Sequence, residues 1–427
     1  MTVAAAPRPV RPLPRECTHA RVIGHVWLLC LVGMLCLAMA PAPVRAGVAD
    51  APPGQLEVSL ITYGPGEVYW ERFGHDAIQI RDRDSGEAVN FNYGVFDFDQ
   101  DHFLLNFARG RMSYSMDADL AGPEMDWYAR NGRSVQRQRL ALTAAQAGAL
   151  RDALLVNLRP GNRRYAYDYF TRNCATRVRD VLNVALGGVL AEQLDTPAGG
   201  ITFRNETRRL MTHQPWLMLL LDLGLGGYAD QPLSQWQAAF IPMRLMHDIR
   251  HVQLPDGRPL VTDEQQIAPS HVTPPPRQAP SLWLPLLLAG MVWGATMAIA
   301  GRYRQQRGAR LLLAGTGTLW LLFAGLAGLF MAILWAFTQH RSAWANENLF
   351  LFNPLALGLI PAVWRRRPRR GSRLLAGVLA VSAIAGLAVK LLPGFDQQNV
   401  AWIALALPAW AGLVWAMGYR SHDTDRR

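Results

Sequence analysis

The sequence predicts an exported α+β domain followed by an all-α bundle of about five transmembrane helices. Three observations predict it. The chain has 427 residues, of which 50% are hydrophobic and only 18% charged, with 14 Trp; that composition excludes a disordered protein and argues against an all-soluble one. Five apolar runs crowd the last third, at 281–300, 311–337, 349–364, 374–392 and 400–418, most of them near the ~20 residues that cross a bilayer, with the short third run open to a tilted, re-entrant or mis-bounded reading. Between 47 and 264, by contrast, short alternating segments and capped helices follow one another as in a folded domain.

The net charge of +11 is a topology signal. Its excess lies in short segments beside apolar runs: five Arg against Glu16 in 1–46, four Arg in 302–310, six Arg in 365–373, and the tail. The remainder of the chain is net acidic, so the basicity is no polyanion footprint and nucleic acid is not an expected partner. With 47–280 outside, both Arg-rich loops and the tail fall on the inner side, as positively charged loops do. No Asp, Glu, Arg or His lies in the middle of a run, and Lys390 sits near an end where it can snorkel. Proton and ion pathways need such groups, which disfavours a transporter.

Taken in order, the basic start, the apolar core Val26–Ala40 and the small residues Val44 and Ala46 read as a signal peptide cleaved after Ala46, or as a signal anchor. Residues 47–264 form the exported domain, 265–280 a stiff tether with five Pro, 281–419 the transmembrane domain and 420–427 a cytoplasmic tail. Inside the domain, Leu56–Thr62, Ala77–Ile80, Glu87–Tyr93 and Ser134–Leu142 read as strands, with a turn at Asp82–Gly86. Thr143 and Gln146 make a capping box for a helix ending at Pro160. A second helix opens near Asn173-Cys174 and ends at Gly187-Gly188, and further helices are expected near 205–222 and 233–250. Pro255-Asp256-Gly257 is a turn between two short strands.

Cys17, Cys30 and Cys36 lie in the signal region, so Cys174 is the sole cysteine of the exported domain. Spacing alone reads it first as a core position of an amphipathic helix. The second reading is a nucleophile whose thiolate the helix N-terminus stabilises. A nucleophile needs a base. His247 and His251 are four apart but lack further ligands, His271 lies in the tether, and His102 sits on a turn with Asp99 and Asp101. His75 differs: it follows Gly74 at the start of a strand, a rigid platform for a base.

Several motifs then carry a resemblance. They are Thr62 to Glu67 with Phe73-Gly74-His75, Asn92 to Phe98, Asn106 to Gly110, Tyr167 to Arg177, and Asn346 to Leu355. Together they resemble the Lnb-type lipoprotein N-acyltransferases, over nearly the whole mature chain. That family is similar to circularly permuted papain-like domains, relatives of the NlpC-type peptidases and of lecithin:retinol acyltransferase. The resemblance implies a bacterial inner-membrane protein with its catalytic domain in the periplasm. It implies Cys174 as nucleophile and His75 as general base, with Asn92, Asn90 or Asp97 orienting the imidazole. Asn173 supports the turn or the substrate, and Arg109 and Arg111 are candidates for a lipid phosphate, set against a plain solvated edge. The implied reaction is ping-pong acyl transfer from a phospholipid to the N-terminal amine of a lipoprotein, with no metal or organic cofactor. A thiol hydrolase on a lipid ester or cell-wall amide, and a non-catalytic envelope module, are the alternatives.

Overall fold

Runs of Val, Ile, Leu and aromatic residues at both parities make the first three strands suited to burial on both faces. β1 (Leu56–Tyr63), β2 (His75–Asp82) and β3 (Ala88–Val95) accordingly form the middle of a sheet. The computed structural model describes residues 46–96 and 100–418. It adds β4 (Ser113–Leu120), β5 (Val135–Leu140), β6 (Arg164–Ala166) and β7 (Val261–Ala268). All pairs are antiparallel, in the order β6-β4-β3-β2-β1-β5-β7. The helices that bear on function are α1 (Phe103–Ala108), α2 (Ala121–Arg130), α3 (Ala144–Leu158), α4 (Cys174–Ala185), α5 (Phe203–Leu210), α6 (Pro215–Gly224) and α7 (Pro242–Ile249). The capping box expected at Thr143 and Gln146 opens α3. Asn173 and Thr176 form a second box that opens α4.

Residues Ile61, Tyr63, Ala77 and Val135 pack beneath Met125, Tyr128 and Ala129 of α2. The opposite parity of the sheet faces α3, α4 and α7. β7 runs through the boundary expected at 264, so the sheet ends at Ala268 and only the following prolines form the connection. That connection is held to the domain: His271 N–H donates to Gly132 O at 2.8 Å, and His213 Nε2 lies 3.1 Å from Pro274 O.

Among the described residues, the membrane part holds four helices long and apolar enough to cross a bilayer. They are α8 (Trp283–Arg302), α9 (Arg307–Phe337), α10 (Arg370–Ala388) and α11 (Val400–Gly418). The short third run, 349–364, expected as a span or as a tilted or re-entrant segment, is a broken segment of short turns, Glu347–Phe350, Pro354–Leu359 and Ile360–Val363. Pro354, Gly358 and Pro361 interrupt it. The segment still runs antiparallel to α9: Phe352 lies against Gly328, Leu357 against Gly325, and Val363 against Gly317, a depth of roughly 16 Å along the helix. Leu351, Phe352, Ala356, Leu359 and Val363 are buried, the setting that irregular backbone requires at membrane depth.

α8 and α11 lie side by side and point the same way. Gly290 meets Leu405, Gly294 meets Pro408 and Gly412, and Gly301 meets Ala416. These small residues let the two backbones touch. Four alternating helices would leave the first and last antiparallel. Their parallel course means that the broken segment reverses the chain between α9 and α10.

Loops at the outer ends bind the sheet domain. Gly226 N–H donates to Ser342 O at 2.7 Å, Gln397 Nε2 to Leu225 O at 3.1 Å, and Trp402 Nε1 to Asp222 Oδ2 at 2.9 Å. Lys390 does not snorkel to water; it pairs with Glu347 and donates to Gln397 O at 2.6 Å. Leu223 of α6 joins the same apolar cluster as Met331 of α9, with Leu219 packed against it, which sets α6 at the membrane surface.

Asp222 is the hub of this junction. It accepts from Arg204 at 3.1 Å, Arg208 at 2.6 Å and Trp402, while Arg204, fully buried, also pairs with Asp230 at 2.8 Å. Removing one partner of such a cluster strands buried charge. Asp222→Ala is expected to lower stability by about 3–5 kcal/mol, read as a fall of several degrees in the thermal midpoint of detergent-solubilised protein. An unchanged midpoint contradicts that role.

Candidate active site

Four neighbouring elements bring their ends together at one edge of the sheet: the start of β2, the end of β1, the end of β3 and the first turn of α4. His75 is the first residue of β2 and pairs with Tyr63 at the end of β1. Gly74 precedes it at φ +84°, and a Cβ there would fall 2.9 Å from Tyr63 O and 2.8 Å from Met243 Sδ. The close approach at Gly74 is made by backbone and by Met243. Gly94 plays the equivalent part on β3. At φ +86°, beside an irregularity in the β3–β4 register, it faces Cys174, whose Cβ would lie 3.4 Å from an added methyl. A side chain at 94 would be strained by the left-handed backbone there.

Cys174 is the first residue of α4 and is half-buried. Its sulfur lies near the backbone N–H groups of Asp76, Ala175 and Cys174 itself, which favour the thiolate. The Asp76 N–H belongs to the peptide that joins it to His75, so the nucleophile candidate sits on the backbone of the base candidate. Burial, together with the Asp76 carboxylate, nonetheless pushes the thiol up to about 12. The helix N-terminus therefore does not yield a resting thiolate, because desolvation of the anion outweighs its N–H donors.

The His75 imidazole lies on the face covered by α2. Its ring is near-parallel to Tyr63, with centroids 5.9 Å apart, and to Tyr128 at 6.1 Å; those two tyrosines stack at 3.6 Å. His75 Nε2 is 2.9 Å from Asn92 Oδ1. Burial pushes the imidazole down to about 4; the Asn92 bond opposes this and the Arg133 charge adds to it. Near neutral pH both Cys174 and His75 are thus uncharged at rest.

Of the three orienting candidates, the structure brings Asn92 to His75. Asn90 lies two residues along the same face but donates to Tyr63 Oη at 3.0 Å and accepts from Gln79 at 3.1 Å. Asp97 falls outside the described residues. Asn173 is corrected from a substrate-binding to a supporting residue. Its oxygen accepts from Thr176 N–H at 2.9 Å, and its amide donates to Tyr169 O at 3.0 Å and Phe240 O at 2.8 Å, leaving no hydrogen free for a ligand. Arg109 and Arg111 are exposed, and among the described residues neither forms an ion pair. They lie at the end of α1, where Arg109 O accepts from Gln339 N–H at 2.8 Å at the outer end of the membrane helices.

Sequence reasoning missed three residues. Glu124 of α2 accepts from Asn92 Nδ2 at 2.7 Å and from Tyr63 Oη at 2.5 Å. Arg133, 3% exposed, lies over the Tyr128 ring at 4.6 Å and donates to Gly64 O at 2.8 Å, while its Nη2 has no hydrogen-bond partner. Asp76, pushed up to about 7 by burial, accepts from Thr62 with one oxygen and leaves the other unpartnered. Only Asp76 carried a signal, a carboxylate within an apolar strand. Among the described residues no three His, Cys, Asp or Glu come together as a metal site; His247 instead pairs with Asp248 and meets the His251 ring edge-on.

The comparisons with known proteins give two matches. Residues 45–213 match the family model described as the Lnb N-terminal periplasmic domain, and residues 277–419 the one described as the Lnb transmembrane domain. No curated protein and no solved structure matches the chain.

The neutral resting pair has a kinetic signature. With His75 protonated only near pH 4, alkylation of Cys174 by iodoacetamide is expected to run at a pH-independent, base-assisted rate from about pH 5 to 8 and to fall as pH drops through about 4. In His75→Ala that plateau disappears and the rate rises about tenfold per pH unit, since only thiolate reacts. A single titration near the ordinary thiol value of about 8.5 in both proteins contradicts the arrangement.

Proposed function

Because the chain belongs to the Lnb family through both its periplasmic and its membrane parts, we propose that it is an inner-membrane acyltransferase working through a Cys174 thioester. The observation that carries this reading is the seating of the Cys174 sulfur on the peptide N–H next to His75, with the imidazole held by Asn92. In this reading the domain is papain-like, with base before nucleophile along the chain.

The sulfur attacks the carbonyl carbon of a lipid ester as its proton passes to His75, a concerted step because burial disfavours both charged forms. The N–H donors around the sulfur are placed to hold the negative oxygen of the adduct. The carbon–oxygen bond then breaks, His75 returns the proton to the departing glyceryl oxygen, and a thioester remains. An amine, the N-terminus of a lipoprotein, attacks the thioester; its proton leaves through His75 and the thiol is restored. Asn92 keeps the ring oriented throughout.

Lipid as donor is supported by the surface around the site. α1 carries exposed Leu104 (78%), Leu105 and Phe107, and meets the membrane part through His340, whose Nε2 is 3.0 Å from Phe107 O. Phe337 at the end of α9 is equally bare, and Tyr69 and Trp70 are exposed beside Phe96. Such apolar patches beside membrane helices fit a lipid surface. Arg109 and Arg111, exposed beside these residues, are the candidates for a lipid phosphate in this reading, and a domain held at the bilayer meets its lipid at high effective concentration.

The test supplies purified protein with phospholipid and a diacylated lipopeptide, each carrying a differently labelled acyl chain, and follows N-acylation. The expected result is an amide on the lipopeptide amine. The label names the donor, phospholipid in this proposal, and transfer of the lipopeptide's own chain would replace that donor. Cys174→Ser and His75→Ala are expected to lower the rate at least ~10²-fold. Release of fatty acid to water with no amide product identifies a hydrolase instead.

A further inference from the structure

The orienting residue is itself ambiguous, and the structure holds what resolves the ambiguity. An amide presents oxygen on one side and NH2 on the other, and either can face an imidazole. If Asn92 offers its oxygen, His75 Nε2 carries the hydrogen and Nδ1 keeps a lone pair free to take a proton. If Asn92 offers its NH2, Nε2 must accept, the hydrogen moves to Nδ1, and the base is blocked.

We propose that Glu124 is the positioning residue that sets the proton on His75, by fixing which side of the Asn92 amide faces the ring. The inference rests on the proposed pairing of Cys174 with His75. The geometry is a chain of donors and acceptors with one consistent direction. Glu124 Oε2 accepts from Asn92 Nδ2 at 2.7 Å, and Glu124 Oε1 accepts from Tyr63 Oη at 2.5 Å. Tyr63 Oη in turn accepts from Asn90 Nδ2 at 3.0 Å, and Asn90 Oδ1 accepts from Gln79 Nε2 at 3.1 Å. The Tyr63 hydrogen is thereby pointed at Glu124, and Glu124 is held as an acceptor at both oxygens.

A carboxylate cannot donate, so flipping Asn92 would set its oxygen against a carboxylate oxygen. With the NH2 committed to Glu124, only Oδ1 is left for His75, at 2.9 Å. Burial raises the Glu124 carboxyl, while the Tyr63 and Asn92 bonds favour its ionised form. On the ring's own face, the groups around Glu124 are Tyr63, Asn90, Asn92 and Asp119, the last acting through its charge. Glu124 touches neither His75 nor Cys174 in this scheme; it acts through Asn92.

The test uses the full-length protein and the pH dependence of Cys174 alkylation by iodoacetamide, which needs no acyl substrate. It therefore stands or falls separately from the acyltransferase reading. In Glu124→Gln one amide must face both Asn92 and Tyr63, the carboxylate bias on Asn92 is lost, and the pH-independent limb is expected to drop about 10²-fold. The hydroxide-dependent limb should be unchanged, whereas a collapsed site would bare the thiol and speed it.

The discriminating variant exchanges the two groups, Asn92→Asp with Glu124→Gln. The carboxylate introduced at position 92 then accepts from His75 Nε2–H and from the NH2 of the amide introduced at position 124. The oxygen of that amide still accepts from Tyr63, so every donor meets an acceptor. This pair is expected to recover the limb to within about tenfold of the parent. Its acid edge should also lie at higher pH, because a carboxylate beside the imidazole favours the protonated ring. Tyr63→Phe, which leaves the Asn92–Glu124 bond in place, should cost only a few-fold. An undiminished limb in Glu124→Gln, a sped hydroxide-dependent limb there, or no recovery in the exchanged pair overturns the assignment.

Discussion

The contact on which the arrangement depends is the one between a helix start and a strand start: the Cys174 sulfur against the N–H that follows His75. Everything nearby serves that closeness. Asn173 caps α4 and ties its first turn to Tyr169 and Phe240. Gly94 clears space on β3, and Gly74 lets the chain turn into β2 under Met243. A single-residue slip of β2 would send the imidazole to the far face of the sheet, away from Asn92 and Tyr128. Register, cap and two glycines are thus conditions of the chemistry as well as of the fold.

The electrostatics give the pair its character. A thiol pushed up and an imidazole pushed down are a quiet combination at rest, because each would have to hold a charge where water is scarce. In the proposed reaction, the thiol acts as its proton passes to His75 and the substrate carbonyl takes up the negative charge. Asn92, Glu124 and Tyr63 supply fixed donors and acceptors without adding a free charge beside the ring.

The sequence reading of the domain rested on signals that act locally, and those survive. The strands from Leu56, Ala77 and Glu87, the capping box at Thr143 and the helix start near Asn173-Cys174 depend on nearest neighbours and periodicity. β4, β6 and β7 escaped because they are short or sit toward the edges of the sheet, with exposed polar faces such as Asp263-Glu264-Gln265. The run 349–364 stayed open in the sequence because hydropathy counts apolar atoms and not helix breakers: Pro354, Gly358 and Pro361 break it while it stays apolar. Helix-dipole reasoning at Cys174 names an effect of the expected direction that desolvation of the thiolate outweighs. Glu124 and Arg133 were invisible for another reason. Only the pairing of β1, β2 and β3 and the docking of α2 bring Tyr63, His75, Asn92 and Glu124 to one place. The junction with the membrane helices is likewise a tertiary product, made by Asp222, Arg204, Glu347, Lys390 and Gln397 from opposite ends of the chain.

The central claim is that Cys174 is acylated as an intermediate. The most direct measurement is the intact mass of the purified protein after exposure to a lipid donor with no amine present, followed by peptide mapping. The account predicts one added acyl chain on Cys174 that hydroxylamine removes at neutral pH. A mass that stays unchanged while acyl transfer proceeds on adding the amine would contradict it.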